Sequence, residues 1–512
     1  MKKLSALLVL FFAALTSTPL FAQAAEEGLD QKINAWVQPA TDFISTIVFY
    51  PIQLGAEATT SMPLVIIFLL FSALFFTIFF KFINIRGFGT AIKTVRGTYS
   101  DPNDAGEVSH FQALTAAVSG TVGLGNIAGV AIAISLGGPG ATLWMILAGL
   151  LGMSSKFVEC TLGVRYREIG PDGKVYGGPM YYLTKGLQEK GLAKTGKVLA
   201  VFFAIMCVGG SFGGGNMFQA NQAAKQFLDM TGTTSTSAGT IFGLFMASMV
   251  ALVIIGGIKR IGAVTERIVP FMCGIYILAA LVVIIVHAAS LPATIAKIFN
   301  EAFSPLAVAG GFVGVLVQGF RRAAFSNEAG VGSAAIAHSA VRTDFPASEG
   351  IVALLEPFID TVVICTMTAI VVIITGDYDN AGAMGGVEMT SQSFATVLPW
   401  FPYVLTVTVV LFAFSTMISW SYYGLQAWLF LFGKTRFNDI LYKVLFCCFV
   451  VVGAAASLSA VTDFSDAMIF AMSVPNLIGL FFLLPVVKKE VSKYYAYIQS
   501  GEWKQYHPEA KK

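Results

Sequence analysis

The run Ser119-Gly120-Thr121-Val122-Gly123-Leu124-Gly125-Asn126 places three glycines within six residues inside an otherwise apolar stretch. A glycine costs about 1 kcal/mol relative to alanine in a helix interior, so the run reads as a helix interrupted. An interrupted helix has two kinds of chemistry: the N-terminus of a half-helix faces an anion, and freed carbonyl oxygens face a cation. A second interruption extends from Gly319 through Phe320, Arg321, Arg322 and Glu328 to Gly330, Gly332 and Ser333. The adjacent hydroxyls of Ser415 and Thr416, also in an apolar run, are oxygen ligands suited to a hard cation that must later be released. The competing reading bonds them back to their own helix. Arg321, Arg322 and Glu328 are ionisable groups near the membrane interior and need partners or water. They are expected either as an internal ion pair that closes the cytoplasmic side or as a cluster snorkelling to the interface.

Other chemistries have no visible residue set. Cys160, Cys207, Cys273, Cys365, Cys447 and Cys448 sit mostly in apolar runs without zinc spacing, and His110, His287, His338 and His507 are scattered. No nucleophile stands at recognisable spacing from a base, which argues against an enzyme. Basic residues are spread through short loops, without the patch that nucleic acid requires.

The elements that hold these groups follow from composition. The 512 residues are 56% hydrophobic and 12% charged, against about 25% charged in average proteins, and the mean hydropathy is +0.75. Such a chain has a bilayer for solvent. Eleven apolar runs are long enough to cross about 30 Å of hydrocarbon, near 62–83, 109–136, 141–164, 198–228, 238–257, 264–287, 308–338, 348–375, 398–432, 439–460 and 465–487. Alternate loops carry nearly all the lysine and arginine, among them Lys81, Arg86, Arg165, Arg167, Lys259, Arg260, Arg342, Lys434 and Lys488, whereas the opposite set contributes only Lys297. The positive-inside rule then puts the C-terminus in the cytoplasm and the N-terminus outside. Lys2 and Lys3 before the apolar stretch Leu4 to Leu15, followed by Ala22-Gln23-Ala24, form a signal-peptide pattern of the same orientation. An uncleaved first helix is the alternative. Ile295, Ile298, Phe299, Ala302 and Phe303 recur at helical spacing in 288–307, which is expected along the outer interface, and 381–397, with Gly382, Gly385 and Gly386, is expected as a second external cover, either a lid or an ordinary loop.

The two interruptions open the second and seventh spans, five helices apart. That spacing suits two five-helix repeats of opposite topology whose broken helices cradle substrate at the midplane. Close helix packing through small residues is the rival explanation for either run alone.

Over nearly its whole mature length the chain resembles the alanine or glycine:cation symporter family. The matching pieces are SGTVGLGNIAG (119–129), GGPMYYL (177–183), FGGGNMFQANQ (212–222), GIKRIG (257–262) and AFSNEAGVGSAAIAHS (324–339). VGLGN at 122–126 also resembles the broken first core helix of neurotransmitter:sodium symporters. The resemblance implies an all-α membrane protein of the leucine-transporter fold with about eleven transmembrane helices. Its divisions are then a signal peptide (1–24), an extracytoplasmic segment (25–61), an extra first helix with a cytoplasmic loop (62–108), two five-helix repeats (109–287 and 308–487) flanking the external segment 288–307, and a cytoplasmic tail (488–512).

It further implies sodium-coupled import of a small neutral amino acid, alanine or glycine, across a bacterial-type inner membrane, with Na+ as coupling ion, no organic cofactor and no protein partner. A zwitterion needs amide donors at one end and acceptors at the other. The amides of Gly123, Leu124 and Gly125 are assigned to the carboxylate, with the Thr121 hydroxyl as a further candidate. The resemblance places Gln219 at the substrate and Phe320 and Trp420 around its side chain. It also brings Ser415 and Thr416 to the carbonyls of Ser119 and Val122 to hold Na+. Proton coupling, a preference for serine or glutamine, and, more remotely, a channel or membrane enzyme are the other readings.

Overall fold

In lipid every backbone amide and carbonyl needs an internal partner, so long apolar runs become helices. The computed structural model describes residues 29–53, 61–171, 173–233, 237–303, 311–380, 386–456 and 458–506. The signal peptide and its cleavage site, and Gly382 and Gly385 of the second external cover, lie outside the described residues.

The principal helices in chain order are α1 (Leu29–Val48), α2 (Leu64–Phe79), α3 (His110–Thr121), α4 (Val130–Gly137), α5 (Ala141–Arg165), α6 (Ala193–Phe212), α7 (Phe218–Thr231), α8 (Ala238–Ile254) and α9 (Gly257–Val286). They continue with α10 (Leu291–Ala302), α11 (Gly311–Asn327), α12 (Ala334–His338), α13 (Pro346–Val352), α14 (Thr366–Thr375), α15 (Val387–Ala395), α16 (Phe401–Phe432), α17 (Arg436–Ala455) and α18 (Leu458–Ser500). Among the described residues seven helices are long and apolar enough to cross a bilayer, and α3 with its continuation Gly125–Gly137, bent by 51°, makes an eighth if counted as one span. α2 and α8 are shorter apolar helices.

Wide π-helical turns at Gly125–Gly129, Gly213–Met217 and Phe358–Cys365 join α3 to α4, α6 to α7, and the segment after α13 to α14. Each inserts a residue into the helical repeat and swings the side chains beyond it, a distortion common at functional sites. α16 packs against α3, α6, α7 and α9, while α5 packs against α11, α12 and α13.

Two boundaries differ from the sequence reading. Lys259 and Arg260 are not in a loop but in the first turn of α9, because Gly257, at φ +65°, turns the chain before them. The last helix runs to Ser500 instead of ending near 487; its lysine-rich extension stays helical because Tyr494 packs under Tyr99 and bonds Thr94. α10 turns Ile298 and Ala302 inward and leaves Ile295, Phe299 and Phe303 exposed. α15 lies against the π turn after the first break, with the Thr390 hydroxyl donating to the Ile127 carbonyl at 3.2 Å.

Candidate functional site

α3 ends where Val122 leaves helical geometry, at φ −75° and ψ 91°. The Gly123 amide, which a continuous helix would direct to the Ser119 carbonyl, donates instead to Asn126 Oδ1 at 2.8 Å. The Leu124 amide donates to Gln219 Oε1 at 3.0 Å. Glycine is required at 123 by proximity: a Cβ there would lie 2.5 Å from Thr416 Oγ1 and 2.9 Å from Gln219 Oε1. Gln219 reaches the break because the π turn Gly213–Met217 reorients the start of α7, and its Nε2 donates to the Gly214 carbonyl at 2.9 Å.

α16 closes the other side. The Ser119 hydroxyl donates to the Ser415 carbonyl at 2.6 Å, pinning α3 to α16. The Ser415 hydroxyl donates to the Phe412 carbonyl of its own helix at 3.0 Å. Thr416 Oγ1 is buried and has no hydrogen-bond partner among the described residues. One turn on, Trp420 Nε1 donates to Glu328 Oε1 at 2.9 Å, and its ring fills the space a side chain at Gly215 would need. The structure therefore brings Ser119, Val122, Gly123, Leu124, Gln219 and Thr416 together, with Trp420 beside them.

Other candidates are placed differently. The Thr121 hydroxyl bonds back to the Ala117 and Val118 carbonyls. Phe320 packs against Trp144, with centroids 6.4 Å apart; the ring that meets the break is Phe325, 3.6 Å from where a Gly125 Cβ would be. Five positions along a helix are about 140° apart around its axis, so the two rings face different neighbours. Arg321 and Arg322 do not pair with Glu328. Both bond Asp466, Arg321 at 2.7 Å and Arg322 at 2.6 Å. Asp466 lies near the start of α18, so the ion pair that forms ties α11 to α18 and leaves Glu328 out of it. Glu328, beyond the end of α11 at φ +55°, turns instead to Trp420 and the Ser333 hydroxyl.

Several polar residues at the centre escaped the sequence reading. Asp360 accepts from Asn126 Nδ2 at 2.6 Å, from the Ser326 hydroxyl at 2.9 Å and from the Thr361 hydroxyl at 2.6 Å. Glu349, Glu356 and Asp360 stand at positions i, i+7 and i+11 of one apolar run, a helical face of carboxylates that was the available signal. On the lysine- and arginine-rich side, Arg167 donates to the carbonyls of Ser339, Val341, Ala105 and Thr343, clasping the loop after α2 to the loop after α12. There the carboxyl of Asp104 is pushed up to about 6, by burial first and by neighbouring Asp344 second.

Residues 51–508 match the sodium:alanine symporter family. The sodium/alanine symporter AgcS of Methanococcus maripaludis is 39% identical over 435 residues, covering 84% of this chain and 94% of that protein. The probable sodium/glutamine symporter GlnT of Bacillus subtilis is 34% identical, covering 86% and 89%. Among solved structures, MhsT in complex with L-phenylalanine aligns with a TM-score of 0.49 at 16% identity, over 75% of this chain and 99% of that one.

Proposed function

We propose that this chain, which belongs to the sodium:alanine symporter family, imports alanine or glycine by symport with Na+ through alternating access. It is a multi-pass membrane transporter and not an enzyme. The observation that carries the finer reading is the convergence, at Gly123, of the Leu124 amide, the Gln219 carboxamide and the unpaired Thr416 hydroxyl.

On this reading Gln219 Oε1 stands where a substrate carboxylate oxygen would accept from the Leu124 amide. An arriving amino acid displaces it and gains the amides of Gly123, Leu124 and Gly125, close approach being possible because two of the three lack a Cβ. Phe325 and Trp420 then bound the side chain and leave space for few atoms. Na+ is held by Thr416 Oγ1 with the carbonyls of Ser119 and Val122, and by the Ser415 hydroxyl once it rotates off Phe412. Ten spans in two inverted repeats, 109–287 and 308–487, after one extra first helix and with the C-terminus cytoplasmic, would let the two broken helices rock about this site.

The test is uptake of labelled L-alanine into liposomes holding the purified protein, with and without an inward Na+ gradient. Uphill, sodium-dependent uptake supports the proposal. Passive flux would point to a channel, and uptake driven by a proton gradient without sodium would replace the cation. Glycine and alanine should compete well before leucine or phenylalanine. Serine and glutamine belong in the panel, the latter because a relative carries its name.

A further inference from the structure

On the face that carries the basic loops, a cavity of about 550 Å³ lies between the start of α9, the end of α16 and the start of α17. Its walls bring together Lys174, Lys259, Lys434, Arg436 and Lys443, against the carboxylates of Glu107 and Asp439. Lys434 donates to Glu168 Oε2 at 3.0 Å and stands 3.8 Å from the centre of the Tyr176 ring, and Lys443 pairs with Asp439 at 2.9 Å. The exposed side chains of Lys259 and Arg436 have no ion-pair or hydrogen-bond partner among the described residues. Glu168 adds a carboxylate just outside the wall but brings Lys185 with it, at 3.1 Å. Setting Asp172, two residues before Lys174 in the chain, against the cations still leaves an excess of two positive charges. Such an excess at a membrane face draws an anion.

The anion is an amphiphile, because the cavity does not end in water alone. It shares Ile255, Arg436, Asp439 and Lys443 with an apolar slot of about 230 Å³ between α8 and α17, walled by Ile254, Ile440 and Val444. Leu252 and Ile255, 64% and 43% exposed, flank the slot on the side where acyl chains lie. Arg436 and Lys443 therefore stand at the head of a hydrophobic groove, the arrangement that a phosphate joined to a hydrocarbon chain fits. At the opposite wall Gln426, 5% exposed, keeps Oε1 without a hydrogen-bond partner among the described residues. Its carboxamide carries both a donor and an acceptor, which suits the ester oxygens and hydroxyls of a phosphoglycerol headgroup. Gln426 is ten residues past Thr416 on α16, about 15 Å along the axis, so this cavity is separate from the broken-helix site.

We infer that the cavity and slot together hold one anionic phospholipid, its phosphate among Lys259, Arg436 and Lys443 and an acyl chain between α8 and α17. The inference goes beyond the transport reading and does not depend on which solute is carried. A lipid seated there touches α8, α9, α16 and α17 at once and relieves the repulsion among the cations that line the cavity.

The experiment uses the full-length protein, purified in a non-ionic detergent and washed free of native lipid. It is titrated with dioleoyl phosphatidylglycerol, with dioleoyl phosphatidylcholine and with inorganic phosphate, and the rise in the thermal unfolding midpoint gives the affinity for each. Phosphatidylglycerol should bind about tenfold or more tightly than phosphatidylcholine. Lys259→Gln combined with Arg436→Gln removes two cations that have no partner to lose. It should weaken phosphatidylglycerol binding about 25-fold, about fivefold for each charge near a headgroup, and leave the lipid-free midpoint near wild type. Should the double variant fold poorly, each single variant should show its own fivefold step. Ile255→Gln, at an exposed position on the slot, should weaken phosphatidylglycerol binding without altering the response to phosphate. Equal affinity for the two lipids, or full affinity in the cation variants, overturns the inference. So does inorganic phosphate that stabilises as well as phosphatidylglycerol at equal concentration, which would make this a site for free anions. Displacement of phosphatidylglycerol by L-alanine also overturns it, by making the cavity part of the solute's path. None of these outcomes decides the transport reading, which liposome uptake tests separately.

Discussion

At the scale of single residues, Gly123 and Thr416 carry the most specific expectations. A methyl group at 123 would lie 2.5 Å from Thr416 Oγ1, a separation that forces α3 and α16 apart. Gly123→Ala should reduce uptake on the order of a hundredfold, as misplacing a binding group by about 1 Å does. Membrane insertion and thermal unfolding in detergent should stay near wild type, and a folding defect of equal size would mean that the glycine serves packing instead. Thr416→Ala removes an oxygen with no other partner, so it should raise the Na+ concentration for half-maximal uptake. With sodium and amino acid sharing the break at 119–126 as proposed, the same variant should weaken alanine binding at limiting Na+ and recover as Na+ rises, with a coupling of about 1–3 kcal/mol. Unchanged sodium dependence would remove Thr416 from the ion site.

At the scale of elements, the second break is held open by backbone conformations that other residues resist. Gly330 sits at φ +89°, and a Cβ there would meet Leu69 Cδ2 at 2.6 Å. Gly330→Ala should therefore destabilise the protein by about 1–2 kcal/mol, the cost of a left-handed L-residue, with the Leu69 contact adding to it. Thermal unfolding in detergent measures this. A wild-type midpoint would show that the break relaxes without cost. The pairing of Arg321 and Arg322 with Asp466 belongs to the same scale, since it ties α11 to α18. Asp466→Asn leaves the buried Arg322 guanidinium without its counter-charge, and breaking a buried pair in this way costs about 3–5 kcal/mol. Expression and unfolding should suffer well beyond what Arg321→Ala, at a half-exposed side chain, produces.

At the scale of the whole molecule, the loops after α2 and α12 are joined by Arg167 and by the Asp104–Asp344 contact, where the Asp344 amide donates to Asp104 Oδ2 at 3.2 Å. The Asp104 carboxyl is raised from 3.8 to about 6 by burial and by Asp344. Between those values the folded protein holds a proton that the unfolded chain releases, so this group's contribution to stability falls as pH rises through the window and is fully lost above it. Asp104→Asn keeps the acceptor and removes the charge. It should unfold at a higher temperature than wild type above about pH 6, with the difference vanishing below about pH 4. A difference independent of pH would trace the effect to packing.

The sequence by itself determined the solvent, the helical class and the family, because these rest on apolar runs and on contiguous motifs such as SGTVGLGN that need no partner to be read. It also located the first helix break and the end of the second, since glycine declares its backbone cost locally, but the second was expected from Gly319 whereas α11 stays helical through Asn327 and breaks only at 328–333, where Gly330 and Gly332 take positive φ. Which side chains meet across helices was decided only by the tertiary structure. The π turns at 125–129, 213–217 and 358–365 rotate the faces beyond them, so that Gln219 reaches the first break and Asn126 turns to Asp360, while Phe325 rather than Phe320 meets the break because the two lie about 140° apart around α11. Charged residues paired by proximity in the chain, Arg321 and Arg322 with Glu328, found different partners because Glu328 lies past the helix end and Asp466 comes from a helix more than a hundred residues away. Local cost is written in the sequence, whereas the choice of partner depends on rotation about each helix axis, which a single inserted residue changes.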